Sequence, residues 1–467
     1  MITNKTFDEI AIGDTASLSR TLTKRDVDMF AMLSGDMNPT HFSDGFAKML
    51  MERQKVSGHS MWGGALISSL LGNDLPGPGT VYKSQKLSFH GAVELGDTLT
   101  VSIRAEQKHP DEKTVVFDCR AINQRNEEII SGDAVVKAPT KKPTMDADLM
   151  DELKYHPRRA FENLIAKVRE YEPIAMAVCH PCSHHALEGA VDAAKANLIA
   201  PILVGPTERI KQVAEENGIN IGPYELVDAR HSHESAAKAV ELCRGGTAEV
   251  LMKGSLHTDE IMGAVVKRDT GLRTELRLSH VFIMDVNTYP KPLFVTDAAI
   301  NIYPTLEDKV HIVKNAITLA HSLEIEEPKI AILSAVETIN PKIPSTLEAA
   351  ALCKMADRGQ ITGAILDGPL AFDNAISKEA ATIKGIRTPV AGETDIFLVP
   401  DLEAGNMLAK QLQYLVNADA AGIVLGARVP IVLTSRADSP KARLASCAVA
   451  VAVAHARRQG VVKGGSS

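Results

Sequence analysis

Pro430-Ile431-Val432-Leu433-Thr434-Ser435-Arg436-Ala437-Asp438-Ser439 packs three structural signals into ten residues. Ile431 to Leu433 is short, apolar and β-branched, the texture of a buried strand. Ser439 followed by Pro440 reads as an N-cap and first helical residue, opening a helix that carries residues 443–457. The loop between them offers a hydroxyl (Ser435), a guanidinium (Arg436) and a carboxylate (Asp438). In an open α/β sheet, ligands bind beyond the carboxyl ends of strands and against helix N-termini. An Arg in such a loop suits phosphate, because its fork matches phosphate oxygens. Taken alone, the loop reads more readily as a helix cap with a surface Arg.

The same alternation extends upstream to about residue 171. Strand-like runs at 174–178, 201–204, 248–252, 281–286, 293–296, 329–334, 363–366, 396–399 and 422–425 are interleaved with helical patterns such as 183–197 and 207–217. This predicts an α/β fold with a mostly parallel sheet. Polar clusters follow several of these strands. They are Lys253 to Asp259, Gly271-Leu272-Arg273-Thr274, Thr296 to Asn301, Leu366 to Asn374 (with Asp373), and Pro400 to Asn406. Five such loops with Lys and Arg among them predict a shared cleft. No Walker loop and no strand-linked Gly-x-Gly-x-x-Gly occurs, so nucleotide-fuelled and NAD chemistry have no support. Cys179-His180-Pro181-Cys182, with His184 and His185, has no second pair of ligands; it reads as a strand end and helix cap, and no metal is expected.

The whole chain has 467 residues, enough for two or three domains. It is 45% apolar and 23% charged, with a net charge of −7 and interspersed signs, which argues against nucleic acid as a partner. No signal peptide and no membrane span is expected. Six scattered cysteines suit the reducing cytoplasm. Residues 141–170 read as a polar linker running into a connecting helix, and 463–467 as a disordered tail.

Residues 1–140 have a different texture. Residues 61–71 are apolar all round, as a buried helix would be, and contain Gly63-Gly64, which permit close backbone approach. Runs at 81–89, 98–107, 114–123 and 128–136 read as an antiparallel sheet wrapped round that helix, an α+β unit. Before it stands Asp36-Met37-Asn38-Pro39-Thr40-His41. Asn38-Pro39 forces a turn that can present Asp36 and His41 together, and a carboxylate beside an imidazole suits acid–base work on water. A polar turn with a surface His gives the same pattern.

This motif, with Leu75 to Thr80 and Gly96-Asp97-Thr98-Leu99, resembles the MaoC-like, hotdog-fold enoyl-CoA hydratases across nearly all of residues 5–138. The resemblance implies that Asp36 and His41 activate and deliver water across an enoyl double bond, with Asn38 holding the pair. It also implies that backbone N–H groups around His59, Ser60 and Met61 meet the thioester carbonyl. Relatives usually carry Gly where this chain has Ser60.

Residues from about 171 to 458 resemble the phosphate acetyl/butyryltransferases, most specifically at 296–304, 367–375, 399–406 and Ser435-Arg436. That resemblance implies two α/β subdomains, 155–274 with 424–462, and an inserted 275–423. It implies the reaction of acyl-CoA with phosphate to give acyl phosphate and CoA. Arg436 would hold phosphate or the CoA side, and Ser435 would bond near the sulfur or carbonyl. Lys253, Arg273, Asn301 and Asp373 are second-tier substrate contacts. The acid of the relatives falls at Ala442 and an Arg at Gly263, so another group, such as Asp373 or Asp438, would take the thiol proton. The pairing of the two parts resembles the bifunctional enoyl-CoA hydratase/phosphate acetyltransferases. No cofactor is implied, since CoA thioesters and phosphate are substrates; a homo-oligomer is expected. Two other readings stand beside this one. The second part could be a regulatory acyl-CoA-binding module, as Ala442 and Gly263 would suggest, and the first could serve chiefly for oligomerisation.

Overall fold

The computed structural model describes residues 3–51, 56–142, 159–433 and 438–462. The chain divides into two compact units, Met1–Leu153 and Lys154–Ser467. Among the described residues no helix is long and apolar enough to cross a membrane. The expected tail and most of the linker lie outside the described residues.

The first unit is a five-stranded sheet in the order β1-β3-β4-β5-β2, all pairs antiparallel. Its strands are β1 (Thr15–Thr21), β2 (Val81–Phe89), β3 (Thr98–His109), β4 (Thr114–Asn123) and β5 (Glu128–Lys137). Period-2 alternation points Leu99, Val101 and Ile103 of β3, and Val115, Phe117 and Ala121 of β4, into one core. The helix Ser60–Asn73 fills that core with Trp62, Leu66, Ile67, Leu70 and Leu71. Each such side chain contributes about 1.5–3 kcal/mol of burial. Gly63 allows the approach: a Cβ there would collide with Ile130 Cδ1. A sheet curled round one buried helix is the hotdog fold.

Two further helices, Lys24–Ser34 and Asp44–Met51, were not expected. The first is fixed locally by a capping box, Thr23 with Asp26. Its apolar face is poorly defined because Met32 and Leu33 are exposed. Edge strand β1 was missed for a related reason: it pairs only with β3 and buries little.

The second unit holds one 11-stranded sheet in the order β13-β12-β14-β11-β10-β15-β16-β9-β6-β7-β8. The strands are β6 (Ile174–Cys179), β7 (Ile199–Gly205), β8 (Glu225–Asp228), β9 (Val250–Lys253), β10 (Ser279–Asp285), β11 (Leu293–Thr296), β12 (Lys329–Leu333), β13 (Ile365–Leu370), β14 (Ile396–Leu398), β15 (Asp419–Leu425) and β16 (Ile431–Val432). Most neighbours are parallel; only β10–β11, β10–β15 and β15–β16 are antiparallel. The 19-residue helix Pro440–Arg458 is buried along Ala445–Ala452 and beyond, although its Ala-Val alternation resembles a strand. Its start decides the matter: Pro440 stands at the first position and Ser439 Oγ accepts from Ala442 N.

One expectation needs correction here. β13 runs to Leu370, through Gly368-Pro369, which the sequence reading took for the start of a loop. Pro is tolerated because β13 is an edge strand. The expected cleft is met in part: Thr258 and Asp259 of the segment after β9, Arg273, and Ala299, Ile300 and Asn301 of the loop after β11 line one cavity, and Asn406 of the segment after β14 donates to the Ala298 carbonyl. Three antiparallel steps, β16–β15, β15–β10 and β10–β11, run β11 to β14 opposite to β6, β7, β9 and β16.

Candidate active sites

In the first unit, Asn38 N-caps a single 3-10 turn, Pro39–His41, its side chain accepting from the Thr40 N–H. The Asp36 carboxylate in turn accepts from Asn38 N–H at 3.2 Å. This chain of local bonds holds Asp36, half exposed, 4.0 Å from His41 Nε2. His41 Nδ1 lies 2.8 Å from the Ser57 carbonyl. A carbonyl only accepts, so Nδ1 carries a proton and Nε2 faces Asp36. The sequence reading thus named residues that the fold brings together.

It missed one side chain. His59, named for its backbone, sends its buried imidazole back to the same point. Nε2 donates to the Asp36 carbonyl at 2.9 Å and lies 4.0 Å from the Asp36 carboxylate. The ring packs on His41 with centroids 4.0 Å apart and on Phe30 at 5.1 Å. Its Nδ1 is buried without a hydrogen-bond partner. No local pattern could announce a contact across 23 residues. Ser60, exposed, opens the helix Ser60–Asn73, whose first N–H groups lie beside this cluster. Asp36, His41 and His59 present ligand atoms within 4.8 Å of one another. One nitrogen of each ring is already committed to a carbonyl, an arrangement suited to handling water and protons.

In the second unit Ser435 and Arg436 lie outside the described residues; their flanks are described. β16 pairs in parallel with β9, Val432 opposite Met252, so the chain leaves β16 beside Lys253. Lys253 is buried at the end of β9. The next residue, Gly254, has no room for a Cβ, which would meet the Cys179 and His180 carbonyls. Beyond the exits of β6 and β9 opens a cavity of 530 Å³, lined in part by Gly254, Ser255 and His257. The Cys-x-x-Cys segment borders it. Cys179 and Cys182 are buried free thiols, and burial pushes the Cys182 thiol up to about 11. His184, His185 and Glu188 also cluster, but at a helix N-terminus, where the helix dipole opposes a cation.

Arg273 and Asn301 meet in a second cavity, of 550 Å³, that runs along the helix Thr258–Val265. Its walls are apolar (Met262, Leu276, Ile300), and Arg277 joins Arg273 there. Asn301 is wholly engaged. Its amide donates to the Leu278 carbonyl and the Asp297 carboxylate and accepts from Arg277 Nε. Gly263 borders this cavity, with open space where a side chain would stand. Asp373 lines neither cavity. It is exposed and paired with Lys384 at 3.2 Å; partial desolvation opposes the shift, but Lys384 holds its carboxyl below the usual range. Ala442 faces a smaller hollow beside Asp419 and Lys441.

The fold and these sites define a hotdog domain joined to an α/β acyltransferase-type module. Residues 10–125 match the family described as MaoC like domain, and residues 230–451 the family described as phosphate acetyl/butaryl transferase. The phosphate acetyltransferase of Rhizobium meliloti is 61% identical over 298 residues, 64% of this chain and 94% of that protein. The phosphate butyryltransferase of Clostridium acetobutylicum is 43% identical over 296 residues, 63% of this chain and 98% of that one. A branched-chain phosphotransacylase from Enterococcus faecalis V583 aligns in structure with a TM-score of 0.54 and 31% identity, covering 60% of this chain and 99% of its own. The chain belongs to the phosphate acetyl/butyryltransferase family and carries a MaoC-like domain at its amino end.

Proposed function

We propose that this protein is a two-activity enzyme of CoA thioesters. The first unit hydrates a trans-2-enoyl-CoA to a 3-hydroxyacyl-CoA, and the second exchanges an acyl group between CoA and phosphate. The observation that carries the hydratase half is the 4.0 Å separation of His41 Nε2 and Asp36 Oδ2. That gap is too wide for a direct hydrogen bond and suits one bridging water. The pair takes a proton from the water as its oxygen bonds C3, and returns a proton to C2. Negative charge on the thioester oxygen meets N–H groups at the start of the helix Ser60–Asn73.

Acyl transfer needs no covalent enzyme intermediate. A phosphate oxygen attacks the thioester carbonyl, the C–S bond breaks, and the phosphate proton passes to the departing thiolate. Arg436 holds phosphate, Ser435 bonds the sulfur or carbonyl, and Lys253 at the β9 exit adds positive charge. Arg273 lies in the second cavity and acts, if on substrate, from there. The 61% identity to a named phosphate acetyltransferase, across 94% of that protein, favours catalysis over a regulatory module. We place the enzyme in the cytoplasm as a homo-oligomer, with acyl-CoA, CoA and phosphate as its small-molecule partners.

The test of the hydratase half uses crotonyl-CoA. Asp36→Ala and His41→Ala in the full chain should each abolish loss of enoyl absorbance and leave phosphate-dependent CoA release intact. Unchanged hydration in either variant means the pair is wrongly assigned.

A further inference from the structure

The cavity along the helix Thr258–Val265 has a volume of 550 Å³, in the range that holds whole small molecules. One acetyl group would leave most of it to water. Met262, Val266, Leu276 and Ile300 give it a mainly apolar wall, which suits a longer carbon chain. Gly263 widens it further, because a Cβ there would meet nothing within 4 Å. The polar groups in the wall are of two kinds. Arg277 and Asn301 are committed: Arg277 pairs with Asp308 at 2.9 Å, and its Nε donates to Asn301 at 2.5 Å. Thr258, Asp259 and Arg273 are exposed, and among the described residues their side chains make no hydrogen bond or ion pair. Thr258 follows Lys253 in the chain, and Lys253 stands where β16 ends and the chain runs on to Ser435 and Arg436.

An apolar space with an uncommitted hydroxyl and carboxylate at its edge fits an acyl chain that itself carries a hydroxyl. We propose that the second unit acts on the product of the first, taking a short 3-hydroxyacyl-CoA and releasing a 3-hydroxyacyl phosphate. The inference rests on the two-activity reading above. In the first step the oxygen of water bonds C3 and a proton reaches C2, and the thioester is untouched. In the second a phosphate oxygen bonds the carbonyl carbon, the C–S bond breaks, and the phosphate proton goes to the thiolate. The sum is enoyl-CoA, water and phosphate giving 3-hydroxyacyl phosphate and CoA. The 3-hydroxyl meets Thr258 and Asp259, and the carbons beyond C3 lie against Met262 and Ile300 in the space left by Gly263.

The test gives the full chain acetyl-CoA, butyryl-CoA or 3-hydroxybutyryl-CoA with phosphate and follows free thiol. 3-Hydroxybutyryl-CoA should react with a kcat/KM at least equal to that of butyryl-CoA. Release from butyryl-CoA with none from 3-hydroxybutyryl-CoA overturns the inference and spares the transferase reading; release from none of the three overturns both. With crotonyl-CoA, phosphate and hydroxylamine as a trap for acyl phosphate, the phosphate-dependent product should be the 3-hydroxybutyryl hydroxamate. Crotonyl hydroxamate alone would show that the enoyl group is transferred directly, against the proposal. The double variant Thr258→Val/Asp259→Ala removes both polar groups at exposed positions. It should lower the kcat/KM ratio of 3-hydroxybutyryl-CoA to butyryl-CoA about tenfold, the scale of one to two hydrogen bonds. Gly263→Leu fills the open space and should lower release from both four-carbon substrates relative to acetyl-CoA. Ratios unchanged in both variants overturn the assignment of this cavity to the 3-hydroxyacyl chain.

Discussion

His59 Nε2 donates to the backbone carbonyl of Asp36 at 2.9 Å. One imidazole therefore fixes the main chain on which the candidate hydratase carboxylate stands, and its ring packs on His41. His59 is a positioning residue here. His59→Ala should lower crotonyl-CoA hydration about a hundredfold in kcat, the cost of a misplacement of about 1 Å. KM and CoA release should change little. A full hydration rate in this variant would remove His59 from the account.

Two glycines predict opposite outcomes. Gly63→Ala drives a Cβ into Ile130 Cδ1 and against Leu99. It should destabilise the first unit by about 1–3 kcal/mol, and Ile130→Val should recover part of that. Gly263 sits inside the helix Thr258–Val265 with open space at its Cβ. Gly263→Ala should stabilise the second unit by about 0.5–1 kcal/mol. Thermal unfolding of each variant checks both signs.

Asn301 braces the loop after β11. Removing its amide takes one donor from the buried carboxylate of Asp297, which keeps the backbone N–H groups of Ala299, Ile300 and Asn301, and leaves the Leu278 carbonyl and Arg277 Nε without this partner. Asn301→Ala should therefore cost about 1–3 kcal/mol of stability in the second unit. A variant that loses activity at an unchanged unfolding temperature would instead give Asn301 a substrate contact.

His280 on β10 is buried with Nδ1 unpartnered, and burial pushes its pKa down to about 4. The unfolded chain takes up a proton near the ordinary value of about 6.5, and the folded chain does not until about 4. Its contribution is therefore intact above about 6.5 and is lost as pH falls toward 4. Between pH 7 and 4.5 the wild type should lose stability more steeply than His280→Asn. Parallel curves would place the pH dependence elsewhere.

Much of this molecule is legible in its residues because local physics dominates there. Alternating strands β3 and β4, the all-apolar helix Ser60–Asn73, and the Ser439-Pro440 cap each announce themselves within a dozen positions. Edge strands β1 and β13 are less readable, since one buries little and the other contains Pro. Asp36 and His41 lie close in sequence, and one turn brings them together. His59 and Arg277 join their sites by tertiary contacts over more than 20 residues, which no period encodes. Strand direction across an 11-stranded sheet depends on pairing and not on strand texture, so which strand-end loops would meet was only partly legible: Arg273 and Asn301 share a cavity, and Asp373 lies outside it.

The central claim is that the second unit moves acyl groups between CoA and phosphate. The most direct measurement is free thiol released by the full chain from acetyl-CoA, butyryl-CoA and branched acyl-CoA, with and without phosphate. The account predicts release that requires phosphate, or arsenate in its place, and that disappears in Arg436→Ala. Absence of phosphate-dependent release across all acyl groups would contradict it.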